Sequence, residues 1–176
     1  ITETTLAVLY AACFLKYGLT VSLVTPLIFV SCLFCLSLVD LDTQIIPDRF
    51  LLIPIAVRAA LLLFTGGFSA LLGASVPGFI IAGAVLLLSL IMDKVLKKDT
   101  MGGGDIKLLF VIGLYLTLPE CLLMVMLSCV IGIAMAAILM RVDSETAFPF
   151  GPALSIAAVL TMLVGSPIVN WYLSLF

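Results

Sequence analysis

The sequence predicts an all-α fold, a bundle of about seven membrane-spanning helices, and three observations carry that prediction. Hydrophobic residues make up 64% of the 176 residues and charged residues only 10%, and the mean hydropathy is +1.41. Soluble proteins contain roughly 45–50% apolar and about 25% charged residues, so a water-soluble globule of this composition could not cover its surface. The apolar runs are continuous and lack a period-2 alternation, which favours helices over strands.

Turn-forming residues divide the first half of the chain into apolar segments, each a candidate for the about 20 residues that cross the hydrocarbon layer. Tyr17-Gly18 ends the first segment, and Asp40 ends the second, after the apolar run 30–39. The third follows Ile46-Pro47-Asp48 and is separated from the fourth by Thr65-Gly66-Gly67. The sequence therefore predicts four helices before the polar stretch 93–100.

The second half of the chain is divided in the same way. Three consecutive glycines at 102–104 precede the fifth segment, Thr117-Leu118-Pro119 precedes the sixth, and the polar stretch 141–145 precedes the seventh. The length of the chain is that of one domain, at about 150 residues per domain. The predicted spans are residues 3–17, 21–40, 50–64, 69–92, 104–118, 120–140 and 152–174.

The distribution of charge predicts an orientation in the membrane. If the segments alternate in direction, Lys16 falls on one side, Arg58 lies within a span, and the other basic residues gather on the opposite side. Those residues are Arg49, Lys94, Lys97, Lys98, Lys107 and Arg141. Because basic residues favour the cytoplasmic side, we expect residue 1 in the cytoplasm and Phe176 outside. The carboxylates expected on the cytoplasmic side are Asp40, Asp42, Asp48, Asp93, Asp99, Asp105, Asp143 and Glu145.

Several classes of chemistry are excluded or disfavoured by composition. The chain has no histidine, which excludes Ser-His and Cys-His catalysis and histidine-based metal sites, and we expect no metal. Its five cysteines lie in apolar runs, so Cys32-x-x-Cys35 is interpreted as apolar packing rather than half of a zinc or redox motif. A net charge of −2 gives no support for a nucleic-acid partner. The chain begins with Ile1, and we expect it to be part of a longer protein.

Two aspartates stand where helix ends are predicted. Asp40 follows an apolar run, at a helix C-terminus, and Asp105 follows three glycines, at a helix N-terminus. The helix dipoles disfavour ionisation of Asp40 and favour that of Asp105, by roughly 0.3–1 kcal/mol each. Two carboxyl groups in contact would share a proton and supply the acid and base of water-activated peptide hydrolysis. Taken singly, each has an ordinary alternative, as an interfacial acid or a helix N-cap.

Three stretches of the sequence resemble the bacterial type IV prepilin peptidases, polytopic aspartic proteases of the Gly-x-Gly-Asp group. They are the D-x-D-x-x-x-I-P-D stretch at 40–48, the stretch M-G-G-G-D-I-K-L-L at 101–109, and P-F-G-P at 149–152. The resemblance implies that residues 1–176 form a single membrane-embedded aspartic peptidase domain. By its motifs, Asp40 and Asp105 map to the catalytic acids. The supporting motif positions are Asp42, Pro47, Asp48, Gly102, Gly104 and Lys107.

The same resemblance implies a substrate and a location. Enzymes of this family remove the short basic leader peptide of prepilins or pseudopilins at the cytoplasmic face of the inner membrane. Proteolysis requires no cofactor, whereas S-adenosylmethionine would be required if the chain also methylates the new N-terminus. The cytoplasmic domain with paired cysteines that many members carry is not in this sequence, which leaves methyl transfer open. The oligomeric state is not predicted.

Some residues and functions keep an alternative. Asp42 is interpreted as a helper of Asp40 or as a solvated loop acid. Lys107, roughly 200° around a helix from Asp105, is expected to contact lipid headgroups or to steady the loop. A wet cavity or a carboxylate is expected beside Arg58, because a cation within a span costs roughly 2.5–3.5 kcal/mol. The competing functions are a transporter or proton channel with a carboxylate relay and a non-catalytic pilin-assembly factor.

Overall fold

The structure of the protein, a computed structural model, describes residues 2–20, 23–97, 101–142 and 149–175, the side chains of 139–142 excepted. The described residues form six helices and no strand, which confirms the all-α prediction. The helices are α1 (Thr2–Tyr17), α2 (Val24–Thr43), α3 (Asp48–Leu96), α4 (Gly103–Gly113), α5 (Leu118–Val142) and α6 (Gly151–Leu173).

α3 consists of two arms that meet at a sharp turn. Gly67 has φ 69° and ψ −167°, a backbone region that is essentially restricted to glycine. A straight helix would place Leu51 and Leu86 about 50 Å apart, at 1.5 Å of rise per residue, yet both line one cavity. The arms, 48–66 and 68–96, therefore run side by side, and they correspond to the predicted spans 50–64 and 69–92.

Four helices are long and apolar enough to cross a membrane: α2, α3, α5 and α6. The chain is therefore a multi-pass membrane protein. α4 has only 11 residues, so the predicted span 104–118 is too long. The apolar sequence continues past Gly113, but the chain leaves the helix there through turns at 114–116. The predicted total of about seven spans is compatible with these helices and stays a prediction.

α4 is a largely buried helix that packs against α3, α5 and α6. Leu108 and Ile112 are fully buried within it. A Cβ atom at Gly113 would lie within van der Waals overlap of the Gly78 Cα, at 2.2 Å, so these glycines allow the backbones of α4 and the second arm to touch. Large apolar side chains such as Phe64, 91% exposed, point outward instead. This distribution is that of a bundle surrounded by lipid.

The end of the bundle that holds the α5 N-terminus has a polar cluster of its own. Glu120 is buried and accepts hydrogen bonds from the Ser166 hydroxyl at 2.6 Å and from the Thr117 backbone N–H at 2.9 Å. Where the sequence predicts a wet cavity or a carboxylate beside Arg58, its Nε donates to the Leu114 carbonyl at 3.2 Å. Its guanidinium also lies 5.3 Å from the ring centre of Tyr115, so a carbonyl and an aromatic ring stabilise the cation.

Candidate active site

A cavity of about 500 Å³ lies at the opposite end of the bundle. It forms where α2 ends and where α3, α4 and α6 begin, so four helix termini contribute to it. Asp40 and Asp105, which are 65 positions apart in the numbering, both line it. Its other described lining residues are Gln44, Ile45, Ile46, Asp48, Gly102, Gly103, Gly104, Lys107, Pro149 and Phe150. We call it the aspartate cavity.

Asp40 lies in the last turn of α2 and is only 4% exposed. Its Oδ2 atom accepts a hydrogen bond of 3.0 Å from the backbone N–H of Gly151, the first residue of α6. A Cβ atom at residue 151 would lie 2.5 Å from that oxygen. Glycine at 151 therefore lets α6 point its N-terminus directly at the carboxylate. That end of the α6 dipole is positive and favours the negative charge that the C-terminus of α2 disfavours.

Asp105 lies in the first turn of α4, which is too short to span a membrane. Its burial, together with the negative charge of the nearby Asp40, raises the pKa of Asp105 to about 6. The dipole of α4 alone would have the opposite effect, as the sequence predicts. Desolvation and a like charge outweigh it, because each can shift a pKa by more than a surface helix terminus does. Asp40 is therefore close enough to affect the ionisation of Asp105.

The glycine-rich turn before α4 packs against the chain that follows α2. Gly102 is extended, at φ −67° and ψ 137°, and precedes the first turn of α4. A Cβ atom at Gly104 would lie 3.0 Å from the Cβ of Ile46. The missing side chain lets residues 44–47 approach the start of α4, which brings the two aspartates to one cavity. Gly103 has open space on the same turn.

The other motif residues divide into two groups. Lys107 donates a 2.8 Å hydrogen bond to Asp48, and both line the aspartate cavity, although their side chains are 59% and 63% exposed. Lys107 thus holds the start of α3 against α4, in line with its expected steadying role. Pro47 precedes α3 with an extended backbone, at φ −71° and ψ 127°. Asp42 is exposed and lies outside the cavity lining.

Gly151, which contacts Asp40 from beside the aspartate cavity, is the residue that sequence reasoning missed as a functional position. It occurs in the P-F-G-P stretch, but nothing local distinguishes it from an ordinary glycine before a helix. Its role depends on a contact with Asp40, 111 positions away, which one sequence alone does not reveal. Cys32 and Cys35 are both free thiols, one buried and one exposed, far from a metal-binding arrangement.

A comparison with family models now adds to this geometry. Residues 27–137, which include both aspartates and more than half of the chain, match the type IV leader peptidase family. The chain belongs to this family. The resemblance read from the motifs is therefore confirmed, and the aspartate cavity is the candidate active site of a family member.

Three similar proteins carry the name prepilin leader peptidase/N-methyltransferase. The one from Neisseria gonorrhoeae is 32% identical over 166 residues, which cover 90% of this chain and 56% of the relative. The one from Bacillus subtilis is 28% identical over 179 residues, covering 98% and 68%. The one from Aeromonas hydrophila is 37% identical over 149 residues, covering 82% and 50%. The chain thus spans between half and about two thirds of their lengths. No solved structure matches it.

Proposed function

We propose that residues 1–176 act as one membrane-embedded aspartic endopeptidase domain, with Asp40 and Asp105 as the catalytic pair. Its substrates are type IV prepilins or pseudopilins, from which it removes the short basic leader peptide. The observation that carries this proposal is the convergence of the two carboxyl groups on one cavity, where the charge of Asp40 raises the pKa of Asp105. Family membership and the names of the relatives support the same reaction.

The surroundings of the two aspartates favour different roles. Burial opposes the ionisation of both carboxyl groups. At Asp40 a backbone hydrogen bond and the N-terminus of α6 counteract it, because both interactions stabilise a carboxylate. Asp105 has a pKa raised to about 6 by burial and by Asp40, so it is the carboxyl group that more readily keeps the shared proton. Asp40 then acts as the general base and Asp105 as the general acid.

The reaction balances with these two groups and one water molecule. Asp40 takes a proton from water as the water oxygen bonds to the carbonyl carbon, and Asp105 gives its proton to the carbonyl oxygen. The C–N bond then breaks, the leaving nitrogen takes the proton from Asp40, and a hydroxyl of the intermediate returns a proton to Asp105. No cofactor takes part in these steps.

Charge supports the proposed location of this chemistry at the cytoplasmic face of the inner membrane. Arg49, Lys94 and Lys97 lie at the helix ends near the aspartate cavity, while Lys16 lies at the other end, where its Nζ donates to the Met162 carbonyl at 2.5 Å. Basic residues favour the cytoplasmic side. In the cavity, Lys107 pairs with Asp48, so the negative charge that Asp40 and Asp105 share is left over and favours a basic peptide.

The relatives' names also include N-methyltransferase, which would require S-adenosylmethionine. That molecule needs polar groups for its adenosine and amino-acid parts. Three further cavities that the described residues form have mainly apolar walls and do not fit such a molecule. Methyl transfer is therefore not part of the proposal.

Incubation of the purified protein with a prepilin in detergent tests the proposal, with mass analysis of the products. Removal of the leader by the unaltered protein, but not by the Asp40→Asn or Asp105→Asn variant, supports the endopeptidase. Binding without cleavage would instead indicate an assembly factor. Cleavage that survives in both variants would refute the assigned catalytic pair.

A further inference from the structure

A second cavity, of about 540 Å³, lies between the two arms of α3 and has α4 as its floor. We call it the arm groove. Its wall is apolar except for Asp48 and Lys107 at its mouth. The side chains that define it here are Leu52 and Ile55 of the first arm, Phe79 and Leu86 of the second arm, and Ile106 and Phe110 of α4.

We infer that the arm groove docks the apolar membrane helix of the substrate, the part that follows the cleaved bond. This inference rests on the proposed function and adds the place where the enzyme holds its substrate. Three features of the groove carry it: its continuity with the aspartate cavity, its extent along the helices and its apolar wall.

The arm groove continues directly into the aspartate cavity. Asp48 and Lys107, joined at 2.8 Å, line both. Along α4, Asp105 in the cavity and Phe110 in the groove are separated by about 7.5 Å, at 1.5 Å of rise per residue. An extended peptide that passes the two aspartates therefore reaches the groove within about two or three residues. There it can enter a helix.

The arm groove also runs along the helices far enough to hold part of a transmembrane helix. On the second arm it extends from Leu86 to Phe79, which is about 10 Å at 1.5 Å of rise per residue. This length corresponds to about two turns of a docked helix. Leu52 is 62% exposed and Phe79 66% exposed, so the groove is open on the side where lipid lies. An apolar helix can enter it sideways from the bilayer.

The other cavities fit this occupant less well. An apolar groove of about 340 Å³ between α1, α2, α5 and α6 shares no residue with the aspartate cavity. A cavity of about 440 Å³ does share Asp105, but it follows the last turns of the second arm, from Val85 to Met92. It thus lies nearer the end of the bundle than the arm groove does. Of the three, the arm groove is both deep and connected to the two aspartates.

Gly83 offers a substitution that fills the arm groove. It lines the groove, and a Cβ atom there would have no other atom within 4 Å, so Gly83→Phe adds a ring without a clash at its base. Replacing a helical glycine also favours the helix, by up to about 1 kcal/mol. Gly73→Phe is the matched control, since Gly73 lies on the same arm, has the same open space and is outside the groove.

Each variant is tested on two substrates in detergent: a full-length prepilin and a soluble peptide that spans the cleaved bond but has no apolar helix. Gly83→Phe should raise KM for the prepilin at least tenfold and change kcat/KM for the peptide less than twofold. Gly73→Phe should change neither. Equal KM values for the prepilin in both variants, or an equal loss on both substrates in Gly83→Phe, would overturn the inference.

A crosslinking measurement keeps the inference testable if Gly83→Phe does not fold. Leu52→p-benzoylphenylalanine places a photoreactive group at the exposed wall of the arm groove. Illumination should join it to the apolar helix of an added prepilin. Crosslinks only to lipid, or only to a second copy of the chain, would exclude substrate docking there. If the unaltered enzyme cleaves neither the prepilin nor the peptide, the proposed function itself fails, independently of the groove.

Discussion

The contact between Gly151 and Asp40 gives the sharpest test of the active site. In Gly151→Ala the new Cβ atom would lie 2.5 Å from Oδ2 and 3.0 Å from Cγ of Asp40. Carbon atoms prefer separations of about 3.5–4.0 Å, so the carboxyl group must move by roughly 1 Å and the 3.0 Å hydrogen bond from the Gly151 N–H is lost. A hydrogen bond to a charged group contributes about 1.5–3 kcal/mol. At about 1.36 kcal/mol per factor of ten, kcat should fall about 10- to 150-fold.

The assay is the initial rate of leader removal from a prepilin in detergent, with kcat and KM measured separately. We expect the loss mainly in kcat, because the proposed general base Asp40 would act on the attacking water rather than on the remote parts of the substrate. Gly73→Ala is the control, since a Cβ atom there meets no atom within 4 Å, and it should cleave at the unaltered rate. If Gly151→Ala cleaves as fast as this control, the N-terminus of α6 does not position the general base.

Three further predictions follow from particular contacts. In Asp40→Asn, the pKa of Asp105 should fall below about 6, because a like charge is removed. It should stay above the ordinary value of about 3.9, because burial remains. Infrared titration of the Asp105 carboxyl group measures this pKa, and an unchanged midpoint would contradict the pairing. Gly113→Ala should destabilise the fold by about 1–3 kcal/mol, because its Cβ would overlap the neighbouring helix backbone. Denaturant unfolding in detergent, with Gly73→Ala as the stable reference, checks it. Glu120→Gln should lower the free energy of unfolding by about 1–3 kcal/mol and leave kcat within about twofold. A proton relay across the bilayer would instead require the Glu120 carboxylate. Measurements of cleavage and of proton uptake separate the peptidase from the relay.

The positions of glycine, proline and charged residues predicted the helix ends to within a few residues, because these residues affect the backbone locally. The positions of Asp40 at the end of one helix and of Asp105 at the start of another follow from the apolar runs beside them. The extent of α4 was not predictable in this way. Its apolar sequence continues after Gly113, and what ends the helix is a turn in a buried part of the bundle. Apolar residues are typical both of lipid-facing helices and of segments buried in protein, so hydropathy alone does not distinguish a membrane span from a short buried helix.

The roles of residues that depend on distant partners could not be predicted from the sequence. Arg58 needed a partner, and the sequence correctly marked it as unusual, but the carbonyl of Leu114 that it contacts carries no sequence signal. The same holds for Gly151, whose importance comes from the space beside Asp40. The pKa of Asp105 likewise depends on burial and on Asp40, both of which are tertiary properties.

The position of the aspartate pair at helix ends also explains how one fold can bind a peptide at membrane depth. Backbone inside a helix has no free N–H or C=O groups, so a bundle of continuous spans could not hold an extended chain by its backbone. At the aspartate cavity one helix ends and three begin, and the first residues of each new helix have N–H groups without helical partners. One of these groups, that of Gly151, donates a hydrogen bond to Asp40, the proposed general base. The glycine turn at 102–104 leaves more backbone accessible beside Asp105. The helix termini that orient the two carboxyl groups therefore also create the polar opening in which a peptide bond can leave its helix and be cut.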